Sequence, residues 1–438
     1  MPREVRLGLI GFGTIGTGVV KLLQHNRAQI RSRLGAALRL VRIADIDLRT
    51  DRGVRVDREV LTNDAAALLD DPRIDVVVEL MGGYEPARRF VLHAIRNGKS
   101  VVTANKALLA VHGAEIFAAA EAARVDLGFE ASVGGGIPIV RTLRDGLGGD
   151  RTRAIFGIVN GTSNYILSTM TNHGGEFSAV LKAAQQQGLA EADPTYDVDG
   201  IDAAHKLTLL IQLAFGTGVA FPRIPVEGIR HVSQLDISFA REFGYVIKLL
   251  AIAKQEDGRI EARVHPTMVP NQHLLADVNG AYNAIAVQGD ALGSTMYSGL
   301  GAGMMPTATA VVADLMEIAR NLLDGHRGRL APLGYPLVAQ RSVPLKSIDD
   351  LDSEYYLRFM VRDRPGVLAK ISGVLGTHDI SIASVIQRER EHGASVPIVI
   401  RTHSARERNL RRALRSIDRL SVVRAKTTVI RIEDSLGQ

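Results

Sequence analysis

Two stretches of this chain combine residue types at spacings that permit chemistry. In the first, Asp202 and Lys206 stand four apart within Ile201 to Phe215, a run whose apolar residues recur at helical spacing. Residues four apart share one helix face, so the carboxylate can hold the ammonium and fix its direction. Such pairs are commonly plain surface contacts. What sets this one apart is the preceding loop, broken by a proline and crowded with Glu191, Asp193, Asp197 and Asp199. An acidic cluster suits a substrate carrying an ammonium group. His205, beside the lysine, reads as helix packing.

The second stretch is Gly11-Phe12-Gly13-Thr14-Ile15-Gly16, which fits G-x-G-x-x-G. It follows the apolar run VRLGLI and opens an amphipathic stretch, the setting the motif requires. Glycines there allow a tight turn and close approach of a pyrophosphate, which the unpaired N–H groups at the helix start then stabilise. Asp45 closes the next strand-like run and can bind ribose hydroxyls, which favours NAD; the lesser alternative is that it caps the turn. It lies farther from Gly16 than the usual spacing of about 20 residues, because Asn26 to Ala37 lengthens the first helix or loop. Arg49 close by can meet a 2′-phosphate instead, so NAD against NADP stays open.

Other chemistries lack their residues. The chain has no cysteine, which removes disulfides, thiolate metal sites and cysteine nucleophiles. Its histidines show no H-E-x-x-H spacing, and no serine occupies a G-x-S-x-G elbow.

These residues need elements to position them. Residues 5 to 130 alternate short apolar runs (LRLVRIAD, DVVVELMG, SVVTAN, VDLGFEA) with amphipathic stretches such as Ala114 to Arg124, which argues for a doubly wound parallel sheet. We therefore read residues 1–133 as an α/β, Rossmann-type dinucleotide-binding domain. Residues 134–334 read as a mixed α+β domain, with the Ile201 to Phe215 helix, strands in RIEARVHPTMV and YNAIAVQGD, and a glycine-rich stretch leading into an amphipathic run, Ala308 to Leu323. Residues 335–353, with two prolines and an acidic cluster, read as a linker. From 354 to 438 the order is β-α-β-β-α-β, ferredoxin-like, with a turn at Glu391 to Ala394.

With 46% apolar and 23% charged residues the chain has an ordinary globular composition. No apolar run is long enough for a membrane span, and MPREVR leads into a strand rather than a signal core, so no membrane partner and a cytoplasmic location are expected. The net charge of +6 reflects Arg406, Arg408, Arg411, Arg412, Arg415 and Arg419 at helix-like spacing. No aromatic residues interleave with them for base stacking, so they read as a solvated helix face rather than a nucleic-acid surface.

The segment from Gly188 through Asp193-Pro194, Asp197, Gly200 and Asp202 to Lys206 resembles the signature of the homoserine dehydrogenases. Agreement extends to Thr103-Ala104-Asn105-Lys106, to Glu130 with Val133-Gly134-Gly135-Gly136-Ile137-Pro138, to Asn160-Gly161-Thr162-Ser163-Asn164-Tyr165, and to Gly301-Ala302-Gly303 with Pro306-Thr307. It covers about residues 4 to 330. The resemblance implies NAD(P)-dependent interconversion of L-homoserine and L-aspartate 4-semialdehyde, within threonine, methionine and isoleucine biosynthesis. It implies Lys206 as proton donor and acceptor oriented by Asp202, Lys106 as a second acid near nicotinamide and substrate, and Glu191 as the partner of the substrate ammonium. Asp197, Gly161 and Thr162 would help to hold the substrate, while Thr103, Gly188 and Gly303 would approach the cofactor.

Family members also bind a monovalent cation, typically sodium, through one carboxylate and backbone carbonyls. By position these are Glu130, Val133, Gly135 and Ile137; the plain alternative is that Glu130 caps its glycine-rich turn. Asp363-Arg364-Pro365-Gly366-Val367-Leu368 is similar to the opening loop of an ACT domain, whose helix start after Gly366 could meet an effector carboxylate. Threonine is the natural guess; the alternative is a module that only extends a subunit contact. The chain begins at the dinucleotide fold, so a monofunctional enzyme without a kinase domain is expected; residues 134–334 would be its catalytic and dimerisation domain, giving a homodimer, or a homotetramer through paired C-terminal modules. Two other functions compete: another ACT-bearing nicotinamide oxidoreductase, such as phosphoglycerate or prephenate dehydrogenase, which lacks the Gly188 to Lys206 signature, and a non-catalytic amino-acid sensor, against which intact Lys206, Asp202 and Glu191 speak.

Overall fold

The structure, a computed structural model, describes residues 3–339, 342–387, 395–434 and 436. The turn expected at Glu391 to Ala394 lies outside the described residues. The chain divides into two units, one of Met1–Ile155, Asp202–Ile224 and Ala281–Val343, the other of Phe156–Ile201, Pro225–Gly280 and Pro344–Gln438.

In the first unit the valine- and isoleucine-rich runs become six strands: β1 (Glu4–Ile10), β2 (Ala37–Ala44), β3 (Leu61–Thr62), β4 (Val76–Glu79), β5 (Ser100–Thr103) and β6 (Leu127–Gly128). They pair in parallel in the order β3-β2-β1-β4-β5-β6. All four residues of β4 and of β5 are buried, as expected for strands covered on both faces. The order reverses between β1 and β4, and at such a switch the loops after the strands diverge and leave a crevice. Asn26 to Ala37 proves to be a separate helix, Arg27–Leu34, closed by Gly35 in the left-handed region (φ 69°). That helix accounts for the long spacing between the glycine motif and Asp45.

Two helices from later in the chain complete this unit. Met304–Leu323 begins four residues earlier than the amphipathic run suggested, and it packs Ala308, Val311 and Leu315 into the core formed by Leu7, Leu9 and Val19. Its approach to the helix Thr14–His25 is so close that a Cβ on Gly18 would lie 3.0 Å from the Cβ of Ala308. Chain order had placed this helix with the central region; its apolar stripe instead covers the dinucleotide sheet. The helix Ile201–Phe215 has the expected limits and is buried on nearly every side, so its few polar residues are enclosed. The glycine-rich stretch before Met304 also hides a strand, Gly293–Leu300, antiparallel to Tyr282–Gly289. Among the described residues no helix is long and apolar enough to cross a membrane.

The second unit is built on the hairpin Tyr245–Glu256 and Arg259–Pro270, turned at Asp257-Gly258 with both residues at positive φ. Asp-Gly is favoured in such a turn because its twist matches that of the flanking strands. The C-terminal β-α-β-β-α-β unit follows the expected order: strand Asp352–Val361, helix Val367–Thr377, strands Ile382–Gln387 and Val396–Thr402, helix Glu407–Ile417 and strand Thr428–Ile432. Leu410, Ala413 and Ile417 bury one stripe of the basic helix, while Arg408 and Arg411 on its outer side reach Asp350 and Asp349. The last strand also pairs in parallel with Arg259–Pro270, so one sheet runs from the hairpin into the C-terminal module.

Candidate active site

At the carboxyl edge of the first sheet, Gly11 adopts φ 97°, and Gly13 caps the helix Thr14–His25. A Cβ on Gly16 would run into the Gly11 carbonyl, whereas one on Gly13 would meet nothing within 4 Å. One glycine is needed for closure of the turn, the other for an open approach. The N–H groups of Thr14, Ile15 and Gly16 open the helix and have no acceptor within it. A pyrophosphate fits this cradle.

Asp45 turns its carboxylate back to the turn and accepts from the Phe12 N–H and, at 2.8 Å, from the Asp47 N–H. Arg49 is exposed, with its own N–H 2.9 Å from the Asp47 carboxylate. Arg52, which the sequence did not single out, is the cation that approaches. Its guanidinium lies 4.8 Å from the Phe12 ring centroid and 3.7 Å from Asp45, and it donates to the Phe12 and Asp47 carbonyls. The available signal was a basic residue in the loop after the second strand, but spacing could not choose among Arg49, Arg52 and Arg55.

Two strands along, the turn after β5 leads into the helix Lys106–Ala123, with Asn105 as its cap. Lys106 reaches Asp202 Oδ1 at 3.0 Å, and Lys206 reaches Asp202 Oδ2 at 2.6 Å. One buried carboxylate thus holds two ammonium groups, one on each oxygen. Lys206 and Asp202 are nearly enclosed, while the Lys106 side chain is 42% exposed. In a site withdrawn from water these charges act more strongly than at the surface. His205 packs on the Phe221 ring at 4.2 Å, and burial lowers its pKa, which keeps it neutral.

Glu130 follows β6, and burial pushes its carboxyl up. Its two oxygens accept from the N–H groups of Val140 (2.8 Å) and Arg141 (2.9 Å), so it does cap the chain after the glycine-rich turn. Gly134 and Gly135 are consecutive left-handed residues, and a Cβ on Gly135 would lie 2.5 Å from the Gly301 backbone. The Glu130 carboxylate and the backbone carbonyls of Val133, Gly135 and Ile137 are hard oxygen donors, the last of them already accepting from the Ile139 N–H at 2.8 Å. This donor set suits a monovalent cation. No cluster of three or more His, Cys, Asp or Glu side chains fit for a metal occurs among the described residues. Gly303, at φ 120°, caps the helix Met304–Leu323.

In the second unit Asn160 caps the helix Gly161–His173 and donates to Asp197 Oδ1 at 2.7 Å. The Thr162 hydroxyl donates to the Leu189 carbonyl at 3.0 Å, next to Gly188, whose Cβ position is open. Gly161, Thr162, Gly188 and Asp197 therefore come together. The acidic loop is less uniform than its sequence suggested. Asp193 accepts from the N–H of Thr195, Asp197 from Asn160, and Asp199 pairs with Arg230, while Glu191 is exposed.

The first unit thus has a glycine turn open to a pyrophosphate at one sheet edge and, two strands away, two lysines on one buried carboxylate; this arrangement is that of a nicotinamide-dependent oxidoreductase. Comparison with known proteins narrows the class. The family model for homoserine dehydrogenase matches residues 138–316, that for the homoserine dehydrogenase NAD-binding domain residues 11–130, and that for the ACT domain residues 355–422. Homoserine dehydrogenase from Pseudomonas aeruginosa is 43% identical over 432 residues, covering 98% of this chain and 99% of its own; that from Synechocystis is 45% identical over 435 residues, with 98% and 99% covered. A crystal structure of a homoserine dehydrogenase from Thiobacillus denitrificans superposes with a TM-score of 0.94 at 45% identity over the whole of both chains. The chain belongs to the homoserine dehydrogenase family, with a C-terminal ACT domain. It is an NAD(P)-dependent oxidoreductase acting between L-homoserine and L-aspartate 4-semialdehyde.

Proposed function

We propose that the reaction runs at Asp202 and its two lysines. The supporting observation is the single carboxylate that binds Lys106 on one oxygen and Lys206 on the other. In homoserine oxidation Lys206, in its neutral form, takes the hydroxyl proton as the carbonyl forms; in the reverse direction its ammonium returns that proton to the alkoxide. A dinucleotide held by its pyrophosphate at the glycine turn would supply or accept the hydride through its nicotinamide. Asp202 orients Lys206 and touches the substrate hydroxyl, and Lys106 stabilises the developing oxyanion as a second acid. Glu191 pairs with the substrate ammonium, and Asp197, Gly161 and Thr162 shape the substrate subsite.

On the cofactor side, Gly11 to Gly16 hold the pyrophosphate, with Thr103, Lys106, Gly188 and Gly303 near the nicotinamide. Asp45 serves ribose hydroxyls, whereas Arg52, more closely placed than Arg49, serves a 2′-phosphate, so both NAD and NADP are accommodated. Glu130, with the carbonyls of Val133, Gly135 and Ile137, would hold a sodium ion, which would stiffen the glycine-rich turn. The functional divisions follow residues 1–133, 134–334, 335–353 and 354–438, with the helix Met304–Leu323 of the second packed on the sheet of the first. The wider reading is a cytoplasmic homodimer or homotetramer of threonine, methionine and isoleucine biosynthesis, with an amino acid such as threonine bound at the ACT domain.

Replacement of Lys206 tests the assignment. Lys206→Ala should lower kcat by about 100- to 10,000-fold, the range for loss of an acid–base group, with dinucleotide affinity nearly unchanged. A loss of dinucleotide binding of comparable size would place this lysine in the cofactor site instead.

A further inference from the structure

Glu79 ends β4 with a fully buried carboxyl, yet no motif marks it and no role above uses it. Oε1 accepts from the N–H groups of Met81 at 2.8 Å and Gly82 at 3.4 Å, and Oε2 accepts from the Thr103 hydroxyl at 2.6 Å. The Thr103 hydroxyl accepts in turn from the Asn105 N–H at 3.0 Å, which directs its own proton to Glu79. Asn105 then does two things. Its carbonyl oxygen accepts from the Leu108 N–H at 3.1 Å, capping the helix that begins at Lys106, and its amide donates to the Gly83 carbonyl at 2.7 Å. One carboxylate therefore ties together the loop after β4 and the turn after β5.

Burial pushes the Glu79 carboxyl up, and the donors around it pull in the opposite direction. A buried charge is a weak way to hold a core together, since apolar residues of similar volume do as well or better. What such a charge does is fix geometry, here at the carboxyl edge where the sheet presents Lys106 to Asp202 at 3.0 Å. The same loop abuts the glycine turn: a Cβ on Gly11 would lie 2.7 Å from the Leu80 carbonyl.

We propose that Glu79 is the positioning residue for Lys106: without meeting the substrate, it holds the Thr103 to Lys106 turn so that the ammonium stands against Asp202. The inference rests on the reading that Lys106 acts in the reaction. Glu79→Gln keeps the shape but sets an amide among groups that already donate. The experiment is a double-mutant cycle of Glu79→Gln with Lys106→Met, reading kcat for homoserine oxidation, KM for homoserine, and NADPH affinity by fluorescence titration. Glu79→Gln alone should lower kcat about 10- to 100-fold, as ångström-scale misplacement does, with NADPH affinity changed by less than about 3-fold and no further loss in the Lys106→Met background. An equal loss in both backgrounds, or a lower Tm with kcat intact, overturns the proposal. Wild-type kcat in Lys106→Met alone would sink the reading of Lys106 and the proposal with it, a result separate from the other two. Should Glu79→Gln fail to fold, Thr103→Val breaks the same link with the carboxylate in place. It should lower kcat similarly and only where Lys106 is present, and Thr103→Ser should restore it; a loss independent of Lys106 overturns the proposal.

Discussion

At the scale of the residue, what the sequence revealed was local. Asp202 and Lys206 could be paired on paper because four residues make one helical turn, and the structure sets them 2.6 Å apart. The contact from Lys106 to the same carboxylate joins distant parts of the chain, so no spacing rule could supply it. Glu79 and Arg52 were missed for that reason: each is an ordinary residue in sequence and takes its meaning from a turn brought to it by the fold. Lys248 is a third such residue. It is buried, donates to the Val278 carbonyl at 2.6 Å, and has its pKa pushed down by burial to about 8. Between about pH 8 and 10.5 the unfolded chain keeps a proton that the folded chain has released, so this group makes stability rise with pH across that window. Urea unfolding of wild type and Lys248→Met at pH 7.5 and pH 10 should show the rise reduced in the variant. An equal rise in both proteins would mean that Lys248 titrates normally.

At the scale of the element, periodicity and turn chemistry carried most of the fold. The helix Ile201–Phe215, all the strands that flank the glycine motif except the short β3, and the C-terminal β-α-β-β-α-β order could be read directly. The strand Gly293–Leu300 could not, because glycine and serine hide a strand whose hydrogen bonds come from a neighbour. The glycine turn permits a sharper test than its motif does. In Gly16→Ala the new Cβ must displace the Gly11 carbonyl from the turn. Since the pyrophosphate seat depends on that turn, dinucleotide affinity should fall at least about 10-fold while the secondary structure by circular dichroism is kept. Unchanged affinity would show that the cofactor does not rely on this closure.

At the scale of the whole molecule, chain order misled in two places, and for one physical reason. The helix Met304–Leu323 covers the dinucleotide sheet, and the strand Thr428–Ile432 pairs with Arg259–Pro270 as well as with its own module. Both depend on which exposed apolar face or strand edge a late segment meets, which a one-dimensional pattern does not encode. The joined sheet carries a buried ionic cluster. Arg431 donates to both oxygens of Glu407 and both of Glu227, and the Tyr355 hydroxyl also donates to Glu407. Arg431→Met should cost about 3–5 kcal/mol, because it removes the buried partner of Glu407 and leaves that carboxylate only the partly exposed Arg411 at 3.1 Å, with the half-exposed Glu227 adding little. A urea midpoint within error of wild type would contradict that. The most direct test of the whole account is the initial rate of L-homoserine oxidation, followed at the nicotinamide absorbance with NAD and with NADP, in protein shown to be folded. The account predicts homoserine-dependent reduction of both cofactors, with Arg52→Ala weakening NADP more than NAD. No reduction of either cofactor would contradict it.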